Sequence, residues 1–276
     1  MWDNLKSLLY GLLELIHNGI TSIGIGTNFA WGLAIIVLTL LVRLLMHPLT
    51  SKQMKSMEKM QKLQPQLKVL QEKYADDKDE LNRQTMALYQ ENKINPASGC
   101  LPLIIQLPIF ILLYGVLYDL TKQANFTNVT FLGVNLGGSV LTTIAEALGG
   151  LTENGQAVSQ EQLGFIMVFL TAIANPGLLF SNLSVWIFNF ILLGLIAWLT
   201  WYQQHLTGAG NPQMAMMNWF MPLFLTFICF GLPGGVLLYW GVSSLMGIIH
   251  QVRLKKRTNE EMKVKPVLYK EKPKTK

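Results

Sequence analysis

The sequence predicts an all-α integral membrane protein with five transmembrane helices and a helical hairpin on the cytoplasmic side. Its 276 residues are 51% hydrophobic and only 14% charged, whereas soluble domains carry about a quarter charged residues. Five apolar stretches are long enough to cross a bilayer as helices, which takes about 17 to 25 residues. Of the 22 Lys and Arg residues, ten fall within 43–93 and ten within 253–276, so positive charge is concentrated in two blocks.

The first 28 residues predict an amphipathic helix that lies on the outer membrane surface. Asp3 and Glu14 interrupt the segment and no small-residue cleavage site follows, so it does not resemble a cleavable signal. Its apolar residues recur at helical spacing and are Leu5, Leu8, Leu9, Leu12, Leu13 and Ile16.

The two basic blocks set the predicted orientation, because Lys and Arg flank the cytoplasmic ends of membrane spans. The hairpin at 47–98 and the tail at 252–276 should therefore both be cytoplasmic, as should the short loop at 203–213. An odd number of crossings then places the N-terminus outside. The five predicted spans are 29–46, 99–120, 184–202, 214–231 and 234–251.

The predicted outer connection at 121–183 contains an apolar segment at 163–180 that is broken by Asn175-Pro176. Its uninterrupted part is too short for an ordinary span and is typical of an interfacial or re-entrant segment. A full crossing here would also move the tail's ten cations to the outside. We therefore expect this segment at the outer surface.

The cytoplasmic segment from Thr50 to Asn95 predicts two helices. The acidic turn at 76–79 offers an N-cap for the second helix, and Pro65 either kinks the first helix or starts a new one. The methionines either pack within the hairpin or form a soft surface for varied apolar ligands. The apolar positions of the first helix are Met54, Met57, Met60, Leu63, Leu67 and Leu70.

The sequence contains no motif for a cofactor, metal or catalytic site. There is no HExxH or P-loop, "GIGIGT" at 23–28 lacks the third glycine of a dinucleotide fingerprint, and the four histidines lack metal-ligand spacing. Cys100 and Cys229 are predicted as buried thiols rather than a disulfide. An enzyme and a two-fold repeated secondary transporter are both disfavoured.

The predicted spans bring Arg43 and Gln106 to a similar depth in the cytoplasmic half of the membrane. Arg43 lies roughly 5 Å inside the apolar slab, and Gln106 roughly 7 to 8 Å, at 1.5 Å per residue. Thr39 lies one turn before Arg43 on the same face, Trp240 lies just above Ser243 and Ser244, and Asn189 is nearer the outer end of its span. Arg43 either lines a polar cavity or snorkels to the interface.

Three stretches resemble signatures of the YidC family of membrane protein insertases. They are "NPASGCLPLIIQLPIFILLYGVL" at 95–117, "LPGGVLLYWGVSSLMGIIHQ" at 232–251 and the hairpin sequence "QEKYADDKDELNRQTMALYQENKINP". The similarity covers 29–120 and 184–255 in order and is typical of the five-span bacterial form. The insertion at 139–183 departs from the family pattern.

The resemblance implies an insertase and chaperone of the bacterial plasma membrane that needs no nucleotide hydrolysis and no small-molecule cofactor. It also implies five helices around a polar groove that is open to the cytoplasm and to lipid. Arg43 would attract acidic residues of nascent membrane protein clients, while Gln106 and Trp240 would line the groove. Thr39 and Asn189 are further substrate-binding candidates by depth alone.

The basic tail at 252–276 suggests partners in addition to the client and the lipid bilayer. The basic tail would bind either anionic lipid or ribosomal RNA, and the resemblance adds the ribosome and the Sec translocon as expected partners. A channel or lipid-moving protein that uses the same groove is the alternative function.

Overall fold

The computed structural model describes residues 2–92, 101–121, 126, 129–149, 152–153, 156–157, 165–208 and 212–262. The described chain is helical apart from turns and two two-residue antiparallel ladders, so the predicted all-α membrane fold is confirmed. The helices are α1 (Trp2–Ser22), α2 (Thr27–Lys62), α3 (Gln64–Lys73), α4 (Lys78–Glu91), α5 (Leu101–Thr121), α6 (Val140–Ala147), α7 (Phe165–Ala174), α8 (Pro176–Ser181), α9 (Leu183–Gly208), α10 (Pro212–Cys229) and α11 (Gly234–Met262). The strands are β1 (Thr130–Phe131), β2 (Val134–Asn135), β3 (Thr152–Glu153) and β4 (Gln156–Ala157).

Helices α2, α9 and α11 are long and apolar enough to cross a membrane, over Thr27–Lys62, Leu183–Leu206 and Gly234–Leu254. Two shorter apolar stretches, Gln106–Thr121 and Trp219–Cys229, lie in α5 and α10. The five predicted spans therefore overlap five apolar helices, which form one bundle.

Contacts along α11 show how these helices are directed. Arg43 contacts Ser243 and, further along both helices, Ser51 lies 3.0 Å from His250, so α2 and α11 run parallel. On α5, Gln106 contacts Tyr239 whereas Leu117 lies beside Gly235 at the start of α11, so α5 runs antiparallel to α11.

Helix α2 does not end at the predicted span boundary near Met46. It continues through Pro48 to Lys62 without a break. A proline inside a helix removes one backbone hydrogen bond but does not always end the helix. The end of the apolar stretch marks where polar sequence begins, which is not where the helix ends.

The helical hairpin is formed by α3 and α4. Pro65 stands in the first turn of α3, so it starts a new helix rather than kinking α2. The Asp77 side chain caps α4 by accepting a hydrogen bond from the Glu80 amide (3.0 Å). Leu63, Leu67 and Tyr89 form the small apolar core between the two helices. We call the end of the bundle that carries this hairpin the hairpin end.

The opposite end of the bundle is closed by α1 and by the segment 129–141. Leu13 of α1 is fully buried, the His17 ring stacks on Trp31 at 3.9 Å, and Lys6 forms an ion pair with Asp119 (2.5 Å). A Cβ added to Gly234 would lie 2.1 Å from the Asn135 carbonyl oxygen, so the segment packs directly on the α11 backbone.

The predicted outer connection contains more regular structure than the sequence suggested. Helix α6 has a Ser139–Thr142 capping box and packs on α9, while α7 and α8 pack on α6. Asn175-Pro176 separates α7 from α8, so the described part of the apolar segment, 165–180, forms two short helices rather than one continuous helix.

Candidate functional site: a polar groove beside Arg43

A groove with a volume of about 270 Å³ lies in the hairpin half of the bundle. It is bounded by α2, α5, α9, α10 and α11. Amides and hydroxyls dominate its polar lining. Such groups are costly to bury in an apolar membrane interior unless they form hydrogen bonds. The polar lining residues are Arg43, Thr50, Gln53, Glu58, Gln61, Gln106, Thr200, Gln203, Gln204, Tyr239, Ser243, Ser244 and Gln251.

Arg43 is fixed across the contact between α2 and α11. Its Nε donates to Ser243 Oγ at 2.8 Å, and its Nη2 donates to the same oxygen. The side chain is half-buried and lines the groove. The guanidinium is therefore directed toward α11 and not along α2 toward the interface at the inner end of the span, as the snorkelling alternative required.

The groove also brings together Gln106 and Trp240. Gln106 Nε2 donates to the Tyr239 hydroxyl at 2.5 Å. The Trp240 ring packs edge-on against Phe110 with centroids 5.2 Å apart. Thus three of the five residues predicted from the sequence, Arg43, Gln106 and Trp240, line one groove.

Thr39 and Asn189 lie elsewhere. Thr39 is 1% exposed, and its hydroxyl donates to the Ile35 carbonyl of its own helix (2.6 Å). Asn189 is fully buried at the opposite end, where its amide binds the backbone of Asn135 and Gly138. Counting residues along a span predicts how deep each side chain lies, but it does not predict toward which neighbouring helix the side chain points.

Most of the groove's amides were not predicted. Gln53 and Gln251 lie near the polar ends of their apolar stretches, where a glutamine is read as the edge of a span. Tyr239 lies within the apolar sequence of the last predicted span, where nothing sets it apart from its neighbours. The parallel pairing of α2 with α11 carries these residues to one surface, and a single sequence gives no sign of that pairing.

Arg43 and Glu58 are the two charged residues among the described groove lining. Glu58 forms an ion pair with Lys62 (3.3 Å). None of the ion pairs formed by described side chains involves Arg43. The groove therefore presents a cation held by a neutral hydroxyl, and an incoming carboxylate would find a charge partner there.

Among the residues that the structure describes, no group of three His, Cys, Asp or Glu side chains could hold a metal ion. His47 and His250 stack at 4.5 Å near the hairpin end of the groove. Ser51 contacts His250 Nε2. These groups tie α2 to α11 without forming a metal site.

The chain matches the family model described as 60Kd inner membrane protein over residues 23–261. It is similar to the membrane protein insertase YidC of Francisella tularensis subsp. novicida (strain U112) and of subsp. tularensis (strain SCHU S4 / Schu 4). The identity to each is 34% over 255 residues, which cover 89% of this chain and 37% of the relative. The chain thus spans little more than a third of the length of these curated relatives.

The fold is similar to a solved structure described as an active YidC insertase crystal structure with the first transmembrane domain resolved. The TM-score is 0.56 at 29% sequence identity, and the match covers 90% of this chain and 45% of the solved chain. The family model and the relatives' identities together bear out the resemblance seen in the sequence motifs. The chain belongs to the 60Kd inner membrane protein family, which includes the YidC insertases.

Proposed function

We propose that this chain inserts newly made membrane proteins into the lipid bilayer and assists their folding. The observation that supports this most directly is the Arg43 guanidinium, held by Ser243 in an amide-lined groove without a carboxylate partner among the described side chains. A client segment that carries acidic residues gains a charge partner in the groove. The same segment would meet only hydrocarbon in the surrounding bilayer.

The energetics require no nucleotide hydrolysis. A client helix of about 20 apolar residues gains about 6 to 12 kcal/mol on entering the bilayer, at about 0.3 to 0.6 kcal/mol per residue. One Asp carried through the bilayer centre costs about 2.5 to 3.5 kcal/mol. A polar groove shortens the stretch of hydrocarbon that the client's Asp must cross, and this lowers the energy barrier to its translocation. Burial of the client's apolar helix in the bilayer supplies the driving force.

The apolar part of the client would move along the outside of the bundle. Helices α9 and α10 expose large apolar side chains, among them Leu195, Trp198, Phe220 and Leu223. In a membrane these surfaces face acyl chains, and a client helix can pack on them as lipid does. Polar and apolar parts of the client would thus follow separate surfaces of the bundle.

We further propose that the hairpin end faces the cytoplasm of a bacterial plasma membrane and that the N-terminus lies outside. Helix α1 lies at the opposite end of the bundle from the hairpin. Lys52, Lys55 and Arg253 all follow the apolar parts of their helices toward the hairpin end, as the positive-inside rule requires.

The partners proposed from the sequence are the ribosome and the Sec translocon, in addition to clients and lipid. Helix α11 carries part of the basic segment to Met262, and residues 263–276 lie outside the described structure. Ten Lys and Arg within 253–276 suit a phosphate-rich surface, either RNA or anionic lipid.

A reconstituted insertion assay tests the proposed function. Liposomes containing the wild-type chain should insert a single-span client with acidic residues in its outer segment, measured by protection from added protease. Arg43→Ala should impair this insertion, and Arg43→Lys should impair it less because charge is the main requirement. Unimpaired insertion by Arg43→Ala would rule out Arg43 as the client's partner, and no insertion by the wild type would rule out the function.

A further inference from the structure

Two buried amide atoms in the groove lack hydrogen-bond partners among the described residues. They are Gln53 Nε2 on α2 and Gln251 Oε1 on α11. Gln53 is only 4% exposed, and both residues line the groove. One of these atoms is a donor and the other an acceptor. Buried polar groups are normally paired, so the pair indicates a polar ligand that completes the site.

The two glutamines lie at a different level from Arg43. Gln53 is ten residues beyond Arg43, and Gln251 is eight residues beyond Ser243. At 1.5 Å per residue these separations are about 15 Å and 12 Å along the bundle axis, toward the hairpin end. The contact between Ser51 and His250 (3.0 Å) holds α2 against α11 at this level. The amide pair therefore precedes Arg43 on a path that enters from the hairpin end.

We propose that Gln53 and Gln251 bind a main-chain peptide group of the client as it enters the groove. Gln53 Nε2 would donate to the peptide carbonyl, and Gln251 Oε1 would accept from a peptide N–H. This inference rests on the proposed insertase function and adds a second element of recognition. Arg43 selects charge, whereas the amide pair recognises what every polypeptide carries.

The chemistry of the pair favours a peptide group over a carboxylate. Each non-proline residue of an extended client offers one N–H and one C=O, which match one free acceptor and one free donor. A carboxylate offers only acceptors and would leave Gln251 Oε1 unpaired. Met54 and Met57 also line the groove, and flexible thioether side chains can adapt to varied client side chains.

Backbone esters provide a direct test, because an ester in place of a peptide bond removes one N–H donor. The probes are fluorescent synthetic peptides of Gly, Ser and Ala with a single Asp, each with one ester at a different position. Binding to the full chain in lipid nanodiscs is measured by fluorescence anisotropy. The Asp pairs with Arg43 and fixes the register of the peptide.

The expected ester effect is confined to one region of the peptide. An extended chain advances about 3.3 Å per residue, so 12 to 15 Å corresponds to about four residues from the Asp. An ester there should weaken binding to the wild type by about 3- to 10-fold, the range of one ordinary hydrogen bond. In Gln251→Leu the same ester should have a clearly smaller effect, since the acceptor for the lost N–H is gone and only the weaker ester carbonyl facing Gln53 still differs. An ester scan with no such position would overturn the proposal.

Gln53→Leu separates ligand binding from a structural role. It should weaken binding of every all-peptide probe by about 3- to 10-fold and should not lower the thermal unfolding temperature of the chain. The matched control is Gln90→Ala, an exposed position on α4, which should change neither quantity. A lower unfolding temperature in Gln53→Leu would show that the amide has a structural partner and would overturn the proposal.

The insertion assay distinguishes the failure of this proposal from the failure of the proposed function. Wild-type insertion together with a flat ester scan overturns the amide pair alone. If the wild-type chain does not insert clients, the proposed function is overturned. If the wild-type chain also does not bind the peptides, the proposed role of the amide pair is overturned too.

Discussion

The guanidinium of Arg43 on α2 donates to the hydroxyl of Ser243 on α11 through both Nε (2.8 Å) and Nη2. One neutral oxygen thus holds a cation in place without neutralising it. This arrangement differs from an ion pair, in which the charge is already satisfied. It leaves the charge of Arg43 available to a ligand that enters the groove.

Ser243→Ala should reduce insertion of clients with acidic outer segments, but less than Arg43→Ala does. The variant keeps the cation and removes the hydroxyl that positions it. A hydrogen bond to a charged group contributes about 1.5 to 3 kcal/mol. Because Ser243→Ala removes only the group that orients the Arg43 guanidinium, we expect part of this energy to be lost, which corresponds to an insertion rate about 3- to 10-fold lower. The measurement is the initial rate of protease-protected client.

Ser244→Ala is the matched control for this prediction. Ser244 is a neighbouring buried hydroxyl that lines the same groove, whereas the two hydrogen bonds of Arg43 to α11 both go to Ser243. Equal loss of insertion in the two variants would contradict a specific role for the Ser243 hydroxyl.

Charge reversal should change which clients are inserted. Arg43→Glu should block clients with Asp in the outer segment and admit clients in which Lys replaces that Asp. The physical reason is that like charges repel more strongly in a partly buried groove than in bulk water, while the reversed pair attracts. The measurement is insertion of the two matched clients by both chains, with an uncharged client as the reference. Equal insertion of all clients by Arg43→Glu would show that the groove does not select by charge.

The sequence predicted the apolar helices and the level of Arg43, but not the groove surface. Apolar length and the two basic blocks are local signals, so they identify α2, α9 and α11 directly. Gln106 stood out because it interrupts an apolar stretch. The face on which a residue lies depends on how helices pair, and the parallel contact of α2 with α11 joins residues about 200 positions apart.

Asn189 illustrates the same limit at the opposite end of the bundle. A buried amide in a span indicates either a ligand site or a structural hydrogen bond, and the sequence does not distinguish the two. In the structure Asn189 Oδ1 accepts from the Asn135 amide (2.8 Å) and Nδ2 donates to the Asn135 and Gly138 carbonyls (3.1 and 3.3 Å). All these partners are backbone atoms of the segment that closes this end.

Asn189→Leu should therefore destabilise the fold rather than change client selection. Without the Asn189 amide, the backbone groups of Asn135 and Gly138 that it binds are left unpaired in a buried site. This lowers the free energy of unfolding by about 1 to 3 kcal/mol. The expected result is a lower thermal unfolding temperature, with all clients inserted in the same relative amounts by the protein that remains folded. Thr39→Val serves as the comparison, because the Thr39 hydroxyl bonds only within its own helix. A change in client preference in Asn189→Leu would contradict this assignment.

The proposed orientation predicts opposite labelling of the two ends. In a background with Cys100→Ser and Cys229→Ser, Lys55→Cys at the hairpin end should react with a membrane-impermeant maleimide only after the membrane is opened. Leu132→Cys at the opposite end should react in intact cells. Leu132 is 69% exposed, so the test residue is accessible without disturbing the core. Because α2 and α11 run parallel, Val252→Cys on α11 should behave like Lys55→Cys. If Lys55 and Leu132 were labelled in the reverse pattern, the bundle would be inverted and the groove would open away from the cytoplasm.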